Sequence, residues 1–428
     1  MDHRPPPATL TRRTLLRGAA AGGFATFLAA CSPEPAPTPV AASTPSASPA
    51  PSSSSSSSSA APSASHGAAS PTPIPTPTVV PTPDPAARMA AMIAGLLVVG
   101  FRGTTLDGAG WVRKALARDG LGGVILFDRD QLTGGRRNVV SPAQVRQLTR
   151  DLRAAAPGRG VIVAVDQEGG LVTRLGPAHG FPALASEATI GRGTAAGAHA
   201  WAKTIATTLA DAGINLNMAP VVDLDVNPSS PAIGALDRSF SADPDVVVAM
   251  ATIEIEAHHA AGVRTTLKHF PGIGSSTTNT DFGVADVTKT WSPRELEPFR
   301  RLAAAGLVDV VMAGHVVNGR IDEGRPASLS RGTLDLLRGD VGWEGIVVTD
   351  DLQAAAITQK FGADEAILLA LEAGNDLLLL ANQQVYDPGV VKGVVSVVLG
   401  AMAHGRIPGA RIEEAWNRVQ AMFGAAAS

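Results

Sequence analysis

The chain has 428 residues, of which 45% are hydrophobic and 17% are charged, and its formal net charge is −3. It contains one Cys and one Tyr. A single Cys excludes an intramolecular disulfide and a cysteine zinc cluster. The lack of a basic excess argues against a nucleic-acid-binding protein.

The N-terminal residues have the parts of an export signal. A basic stretch with Arg12 and Arg13 precedes the apolar segment 18–30, which is shorter than the roughly 20 residues that span a bilayer. The segment ending at Cys31 resembles the lipobox of bacterial lipoproteins, and TRRTLL resembles a twin-arginine signal, although such a pair also occurs in general secretory signals. We predict a signal peptide over 1–31, lipidation of Cys31, and anchoring at the outer face of the bacterial cytoplasmic membrane.

Residues 32–86 consist mainly of Pro, Ser, Ala and Thr, with an unbroken Ser run over 52–59. Such a segment has little apolar surface to bury and cannot offset the entropy cost of ordering. We predict a disordered linker that reaches on the order of 40 Å as a flexible chain.

From residue 87 to residue 428 the composition is that of a globular domain. Short apolar, β-branched runs alternate with longer segments of helical pattern, and they lie at 96–101, 122–127, 160–166, 213–224, 262–270, 308–316, 345–351 and 375–381. Near-continuous apolarity is typical of parallel strands covered on both faces. Ser141 and Ser292 each begin a capping-box pattern with Pro at the first helical position. The alternation predicts an α/β fold, a (β/α)8 barrel of the TIM type; a doubly wound open sheet is the alternative.

Polar residues gather at the C-terminal ends of these runs, where a barrel carries its chemistry. They are Asp166, Asp223, Lys268, His269, His315, Asp350 and Asp351. A loop beginning with a polar residue would explain any one of them, but not the whole series.

Two of these positions form pairs with a second residue. Asp166 and Arg174 flank a Gly-Gly bend and could both contact one polyol ligand; a structural ion pair is the alternative. Lys268 and His269 are adjacent, and neighbouring strand residues point to opposite faces. Both can reach a ligand only if the strand bends or ends near Pro271; otherwise one faces the barrel and the other a helix.

The adjacent carboxyl groups of Asp350 and Asp351 follow the apolar run of GIVVTDDL. Burying both unpaired would be very costly, so we expect one to face the polar mouth, where it can act as a nucleophile. The alternative is a helix N-cap, for which Asp is favoured. One aspartate could cap while the other reacts.

The sequence indicates no metal site and no cofactor. Residues 223–227 begin like a calcium loop, but Pro228 lies where the EF-hand turn requires Gly. His258 and His259 are adjacent in a helical pattern, so their side chains diverge.

Several segments together resemble glycoside hydrolase family 3. They occur in this order: DQEGGLVTRL, NMAPVVDLDVNP, ALDRSF, LKHFPGIG, MAGHV, PASLS, GIVVTDDL and AGNDLLLL. The resemblance covers nearly all of the predicted barrel and is strongest to single-domain bacterial β-N-acetylglucosaminidases of peptidoglycan turnover.

The resemblance implies a retaining mechanism in which Asp350 is the nucleophile that forms a covalent glycosyl-enzyme. It also implies that five positions hold the sugar hydroxyls in the −1 subsite: Asp166, Arg174, Arg238, Lys268 and His269. Charge-assisted hydrogen bonds to hydroxyls can strengthen as the sugar ring distorts.

The general acid/base is where this chain departs from the resemblance. In the acetylglucosaminidase branch an Asp-Ser-His segment supplies an Asp-His pair, whereas the same spacing here gives Asn279, Thr280 and Asp281. Other family 3 enzymes use a glutamate of a second, C-terminal domain, which we do not expect here. Three hypotheses follow: Asp281 donates the proton and Asn279 positions it; the enzyme acts on another sugar; or the barrel is a catalytically silent, membrane-tethered glycan-binding protein.

We therefore predict an exported, lipid-anchored, exo-acting β-glycosidase that removes terminal β-linked N-acetylglucosamine from cell-wall glycan. Oligomeric state is open.

Overall fold

A computed structural model describes residues 84–425 of the chain. Its first helix, Pro85–Gly95, begins with Asp84 as N-cap, whose carboxylate accepts the backbone N–H of Ala86 at 3.2 Å. The helix thus starts inside the last residues of the predicted linker. The predicted signal peptide 1–31, Cys31 and residues 32–83 of the linker lie outside the described residues.

Eight parallel strands form one sheet that closes into a barrel. They are β1 Leu97–Gly100, β2 Gly123–Leu126, β3 Ile162–Val165, β4 Leu216–Asn217, β5 Arg264–Phe270, β6 Val310–Ala313, β7 Ile346–Thr349 and β8 Leu378–Leu380. Each strand from β1 to β6 pairs with the next in sequence, and β8 pairs with β1. The remaining seam is joined by a parallel bridge between Val348 and Leu377. The predicted (β/α)8 barrel is confirmed, and the open-sheet alternative is wrong.

Apart from the exposed Arg264 at the start of β5, the strand residues are buried because helices cover the outside and side chains fill the inside. After Pro85–Gly95, the helices are Gly110–Lys114, Pro142–Ala154, Glu187–Gly191, Ala195–Ala212, Pro244–Ala260, Glu297–Ala304, Arg331–Leu336, Ala355–Thr358, Ala363–Ala373, Val390–Ala403 and Gly409–Phe423. Within residues 84–425, none of the helices is both long and apolar enough to cross a bilayer.

Single-turn elements extend or connect these helices. The π-turns Ala115–Asp119 and Leu337–Val341 extend two of them, and 3₁₀ turns occur at Pro177–His179, Gly234–Leu236, Pro293–Leu296 and Ala327–Leu329. Short strand pairs join Gln167–Gly169 to Val172–Thr173 and Ala285–Asp286 to Val316–Val317. Both short pairs lie in loops beyond the C-terminal ends of barrel strands.

The predicted helix starts at Ser141 and Ser292 are confirmed. The Ser141 hydroxyl accepts the backbone N–H of Gln144 at 3.3 Å, and the Glu295 carboxylate accepts the backbone N–H of Ser292 at 3.2 Å. These caps satisfy backbone donors that the first turn leaves unpaired.

Candidate active site

A cavity of about 180 Å³ opens at the C-terminal ends of the strands. This is smaller than the roughly 300–1,000 Å³ of pockets for drug-sized ligands, and it suits one small ring. All eight residues that the sequence indicated for catalysis or substrate binding line it: Asp166, Arg174, Arg238, Lys268, His269, Asn279, Asp281 and Asp350.

The floor of the cavity is a network of buried charges centred on Glu168, which follows β3. Lys268 Nζ lies 2.9 Å from Asp166 Oδ1 and 2.6 Å from Glu168 Oε1. The Arg238 guanidinium donates to both oxygens of Glu168, at 2.7 and 2.8 Å. Burial alone would raise the pKa of Glu168, but Arg238 and Lys268 outweigh it and hold the pKa well below its usual range. Glu168 is therefore an ionised anchor for two cationic side chains.

Arg174 lies at the side of the same cavity. Its guanidinium is 3.8 Å from Asp166 Oδ2 and 3.9 Å from Asp128 Oδ1, and it stands over the Phe127 ring at 5.5 Å. The contact with Asp166 is the ion pair considered from the sequence. Both side chains also face the cavity, so the ion pair does not prevent them from meeting a ligand.

Lys268 and His269 both line the cavity although they are neighbours on β5. The pairing register between β5 and β6 shifts between Leu267 and Phe270, and the peptide joining Lys268 and His269 is cis. The bend that the sequence required for both side chains to reach one ligand is present.

Asp223, at the end of the β4 region, lies behind His269. One of its carboxylate oxygens accepts His269 Nδ1–H at 2.7 Å and the His269 backbone N–H at 3.1 Å. The other oxygen accepts the backbone N–H of Ile273 at 2.8 Å. Since a carboxylate only accepts, Nδ1 carries a proton. The other ring nitrogen, Nε2, lies 3.5 Å from the Arg238 guanidinium. Asp223 thus orients His269.

Asp350 directly follows β7 and lines the cavity. Burial would raise its pKa, but the charges of His315 and His269, with the backbone N–H of Asp351 at 2.8 Å, outweigh burial and lower the pKa below its ordinary value. The Asp350 N–H donates to the carbonyl of Ala313 at 2.9 Å. Asp350 is held as a carboxylate on a fixed backbone.

Asp351 also lines the cavity but is in a different state. Burial raises its pKa to about 7, even though its carboxyl accepts the N–H groups of Gln353 at 3.1 Å and Ala381 at 3.0 Å. The helix after β7 begins at Ala355, and its N-cap residue is Ala354. The N-cap interpretation of the aspartate pair is therefore wrong, because a turn separates the pair from the helix.

His315, after β6, fixes the backbone beside Asp350. Its Nε2 lies 2.8 Å from the carbonyl oxygen of Asp351, and its Nδ1 lies 2.8 Å from the Ser328 hydroxyl. A carbonyl can only accept, so Nε2 carries a proton.

The loop carrying Asn279 and Asp281 is folded over the cavity. The Asn279 side-chain oxygen accepts the backbone N–H of Asp281 at 2.9 Å, so it shapes the turn and does not touch the Asp281 carboxyl. The Asp281 carbonyl accepts the N–H of Ala355 at 3.3 Å and the side chain of Gln384 at 3.0 Å. The carbonyl of Thr280 accepts the N–H of Ala356 at 3.1 Å. These bonds hold the loop against the helix Ala355–Thr358 and against the segment that follows β8.

The Asp281 carboxyl faces the cavity and makes no hydrogen bond to any residue within 84–425. Burial, and then the nearby charge of Asp350, raise its pKa above the ordinary value. The pKa values of Asp281 and Asp350 are therefore displaced in opposite directions, upward for Asp281 and downward for Asp350.

Sequence reasoning missed Glu168, Gln383 and Gln384 as site residues. Glu168 could have been found, because residues two apart in an extended segment share a face and Asp166 was already selected. Gln383 and Gln384 follow β8 and line the cavity, but nothing in their sequence context marks them.

Two carboxyl groups with pKa values displaced in opposite directions face a cavity rich in hydroxyl-binding groups, and cleavage of a glycosidic bond uses such a pair. The fold and the cavity together define a barrel glycosidase.

Comparison with known proteins agrees with this class. Residues 93–422 match the family model described as glycosyl hydrolase family 3 N terminal domain. A β-hexosaminidase of Xylella fastidiosa (strain M23) is 37% identical over 318 residues, covering 71% of this chain and 87% of that protein. The chain belongs to glycosyl hydrolase family 3 and is a glycoside hydrolase.

Solved structures give the same result. A family 3 β-N-acetylglucosaminidase from Paenibacillus sp. str. FPU-7 is similar with a TM-score of 0.70 and 34% identity, over 78% of this chain and 61% of that chain. A β-N-acetylhexosaminidase from Beutenbergia cavernae DSM 12333 has a TM-score of 0.69 and 32% identity, over 78% of this chain and 97% of that chain. This chain thus spans about three fifths of the Paenibacillus protein and nearly all of the Beutenbergia protein.

Proposed function

We propose that the chain is a retaining, exo-acting β-N-acetylhexosaminidase whose nucleophile is Asp350 and whose general acid/base is Asp281. The observation that carries the proposal is that these carboxyl groups face one ring-sized cavity with pKa values displaced in opposite directions. Retaining glycosidases need such a pair, one ionised to attack and one protonated to donate.

In the first step the Asp350 carboxylate bonds to the anomeric carbon while Asp281 gives its proton to the glycosidic oxygen. The bond between that oxygen and the anomeric carbon breaks, and the leaving group departs as an alcohol. In the second step Asp281, now a carboxylate, takes a proton from water as the water oxygen bonds to the anomeric carbon. Asp350 leaves as a carboxylate, and two inversions restore the β configuration.

The charged network would hold the sugar during both steps. Asp166 can accept from sugar hydroxyls, while Arg174, Arg238 and Lys268 can donate to them, and His269 offers its Nε2. Glu168 and Asp223 already hold Lys268, Arg238 and His269 in place. Ligand binding therefore loses little conformational entropy at these side chains.

The choice of sugar is supported by the relatives named for N-acetylhexosamine or N-acetylglucosamine. The departure at Asn279, Thr280 and Asp281 keeps a second specificity open, namely another β-linked sugar such as glucose or xylose. A catalytically silent glycan-binding protein is disfavoured, because binding alone does not require an ionised carboxylate at position 350.

These alternatives are separated by assaying aryl β-N-acetylglucosaminide, β-glucoside and β-xyloside with the wild type, Asp350→Ala and Asp281→Ala. Asp335→Asn, an exposed carboxylate on the helix Arg331–Leu336, is the matched control. We expect activity on the acetylglucosaminide that Asp350→Ala abolishes and Asp335→Asn keeps. A wild type no faster than Asp350→Ala on all three substrates would overturn the proposal of an enzyme.

Azide distinguishes the role of Asp281. Azide attacks the glycosyl-enzyme without needing a proton removed, so it should accelerate Asp281→Ala on an activated aryl substrate and yield the β-glycosyl azide. Asp281→Ala that turns over at the wild-type rate, or that azide leaves unaffected, would assign the proton transfer to another group.

We also propose that the enzyme is a lipoprotein tethered through Cys31 at the outer face of the cytoplasmic membrane, acting on peptidoglycan fragments. The proposal is supported by the lipobox-like end of segment 1–31 and by the Pro/Ser-rich segment after it. Cell fractionation of the full chain beside Cys31→Ser tests it. We expect the wild type in the membrane fraction and Cys31→Ser out of it; the same distribution for both would contradict the anchor.

A further inference from the structure

A second, wider cavity of about 630 Å³ joins the first at its mouth. The two share four lining residues: Gln131, Arg174, Gln383 and Gln384. A molecule held in the first cavity can therefore extend directly into the second.

The wider cavity has an apolar wall made by Phe282 and Leu132, which are 74% and 53% exposed. Such exposure is concentrated on one side of the molecule. Within residues 84–425, the exposed large hydrophobic side chains all lie in loops that follow barrel strands: Leu132, Leu171, Val226, Phe282, Val284 and Val385. Clustered apolar exposure at the mouth of a cavity marks a surface that a ligand covers.

Phe282 directly follows Asp281 on the docked loop, and the two residues line different cavities: Asp281 the first and Phe282 the second. In the proposed reaction Asp281 meets the oxygen that joins the cleaved sugar to its leaving group. The group beyond that oxygen must then lie on the Phe282 side. The same loop thus supplies the proton donor and a surface for the leaving group.

The rest of the lining of the wider cavity is polar and of mixed charge: Asp128 and Arg129, with the shared Gln131, Arg174, Gln383 and Gln384. A pyranose ring has an apolar C–H face and a rim of hydroxyl groups. A surface that combines an aromatic ring with nearby hydrogen-bond donors and acceptors is complementary to it. An alkyl group would leave the polar wall without partners.

We propose that Phe282 and Leu132 form a subsite for the sugar ring of the leaving group, and that Phe282 is a specificity-determining residue that favours β-linked oligosaccharides. This inference rests on the proposed function. It adds the two side chains that contact the leaving-group ring and the one, Phe282, that selects for it.

The test compares kcat/KM for N,N′-diacetylchitobiose and for the 2,2,2-trifluoroethyl β-N-acetylglucosaminide, whose leaving group has no ring. Phe282→Ala should lower kcat/KM for the disaccharide about tenfold, the scale of one lost aromatic contact, and for the trifluoroethyl glycoside less than twofold. Phe282→Tyr should restore the disaccharide rate. Val284→Ala, an exposed neighbour on the same segment, is the control and should match the wild type on both substrates.

Equal loss on both substrates would mean that Phe282 acts through Asp281 or through folding, and no loss on either would mean that it does not contact the leaving group; each overturns the subsite. A wild type that cleaves the trifluoroethyl glycoside but not the disaccharide would overturn the subsite alone. A wild type that cleaves neither substrate would overturn the proposed function, and the subsite with it.

Discussion

Replacing Glu168 by Gln tests whether the floor of the cavity depends on one buried negative charge. The Glu168 oxygens lie 2.6 Å from Lys268 Nζ and 2.7 and 2.8 Å from the Arg238 nitrogens. Gln keeps the shape and one acceptor, but it places an amide NH₂ against donors. Removing one partner of a buried ion pair costs about 3–5 kcal/mol. Since Asp166 still pairs with Lys268 at 2.9 Å, we expect the lower end, about 3 kcal/mol.

Chemical denaturation at pH 7 measures this loss as a lower free energy of unfolding, equivalent to about a hundredfold change in the folding equilibrium constant. Asp128→Asn is the control, because Asp128 is partly exposed and its nearest cation is 3.9 Å away. Exposed pairs of this kind contribute less than about 1 kcal/mol. We also expect kcat/KM of Glu168→Gln to fall at least tenfold, because Arg238 and Lys268 lose their common anchor.

The acid dependence of stability supplies a second readout. The pKa of Glu168 is lower in the folded chain than in the unfolded chain, so its stabilisation is complete above the unfolded-state value of about 4.3 and is lost as the pH falls below it. The wild type should therefore lose stability on acidification more steeply than Glu168→Gln. A variant as stable as the wild type at pH 7, with the same acid dependence, would refute this reasoning.

Three further predictions concern the loop and the aspartate pair. The raised pKa of Asp281 should set the alkaline limb of the pH profile of kcat/KM. Asp281→Asn should remove that limb and lower kcat/KM roughly 10²–10⁴-fold. An unchanged alkaline limb in Asp281→Asn would exclude Asp281 as the general acid. Gln384→Ala removes the 3.0 Å bond to the Asp281 carbonyl and should lower kcat about fivefold to tenfold, with faster amide hydrogen exchange over 279–283; unaltered exchange would contradict its role in docking the loop. Burial raises the pKa of Asp351 to about 7 in the folded chain, whereas an aspartate of the unfolded chain ionises near pH 4, so the wild type loses stability progressively as the pH rises from about 4 to about 7. Thermal unfolding of Asp351→Asn should therefore depend less on pH across that window. An identical pH dependence of the two proteins would mean that the pKa of Asp351 does not change on folding.

The barrel could be predicted because its strands have one simple pattern. Parallel strands are buried on both faces, so stretches such as 160–165 and 345–348 are apolar throughout and stand out between amphipathic segments. Polar residues directly after those runs then mark the C-terminal face. This is why Asp166, Lys268 and Asp350 could be placed in one site from their positions alone.

Glu168 and Gln384 could not be assigned from the sequence, because their roles depend on contacts with residues that are far away in the chain. Glu168 acts through Arg238, 70 residues away, and Gln384 through Asp281, 103 residues away. No local sequence pattern predicts such long-range contacts. The sequence also could not show that the pKa values of Asp350 and Asp351 differ, because that difference arises from the burial and charge around each carboxyl.

The central claim is that the carboxylate of Asp350 bonds to the anomeric carbon. The most direct measurement uses a 5-fluoro N-acetylglucosaminyl substrate, which slows both steps, followed by proteolysis and mass spectrometry of the trapped enzyme. The glycosyl mass should appear on the peptide that contains residue 350, with fragmentation assigning it to Asp350 and not to Asp351. An unmodified Asp350 in enzyme that still turns over, or a label on another residue, would contradict the account.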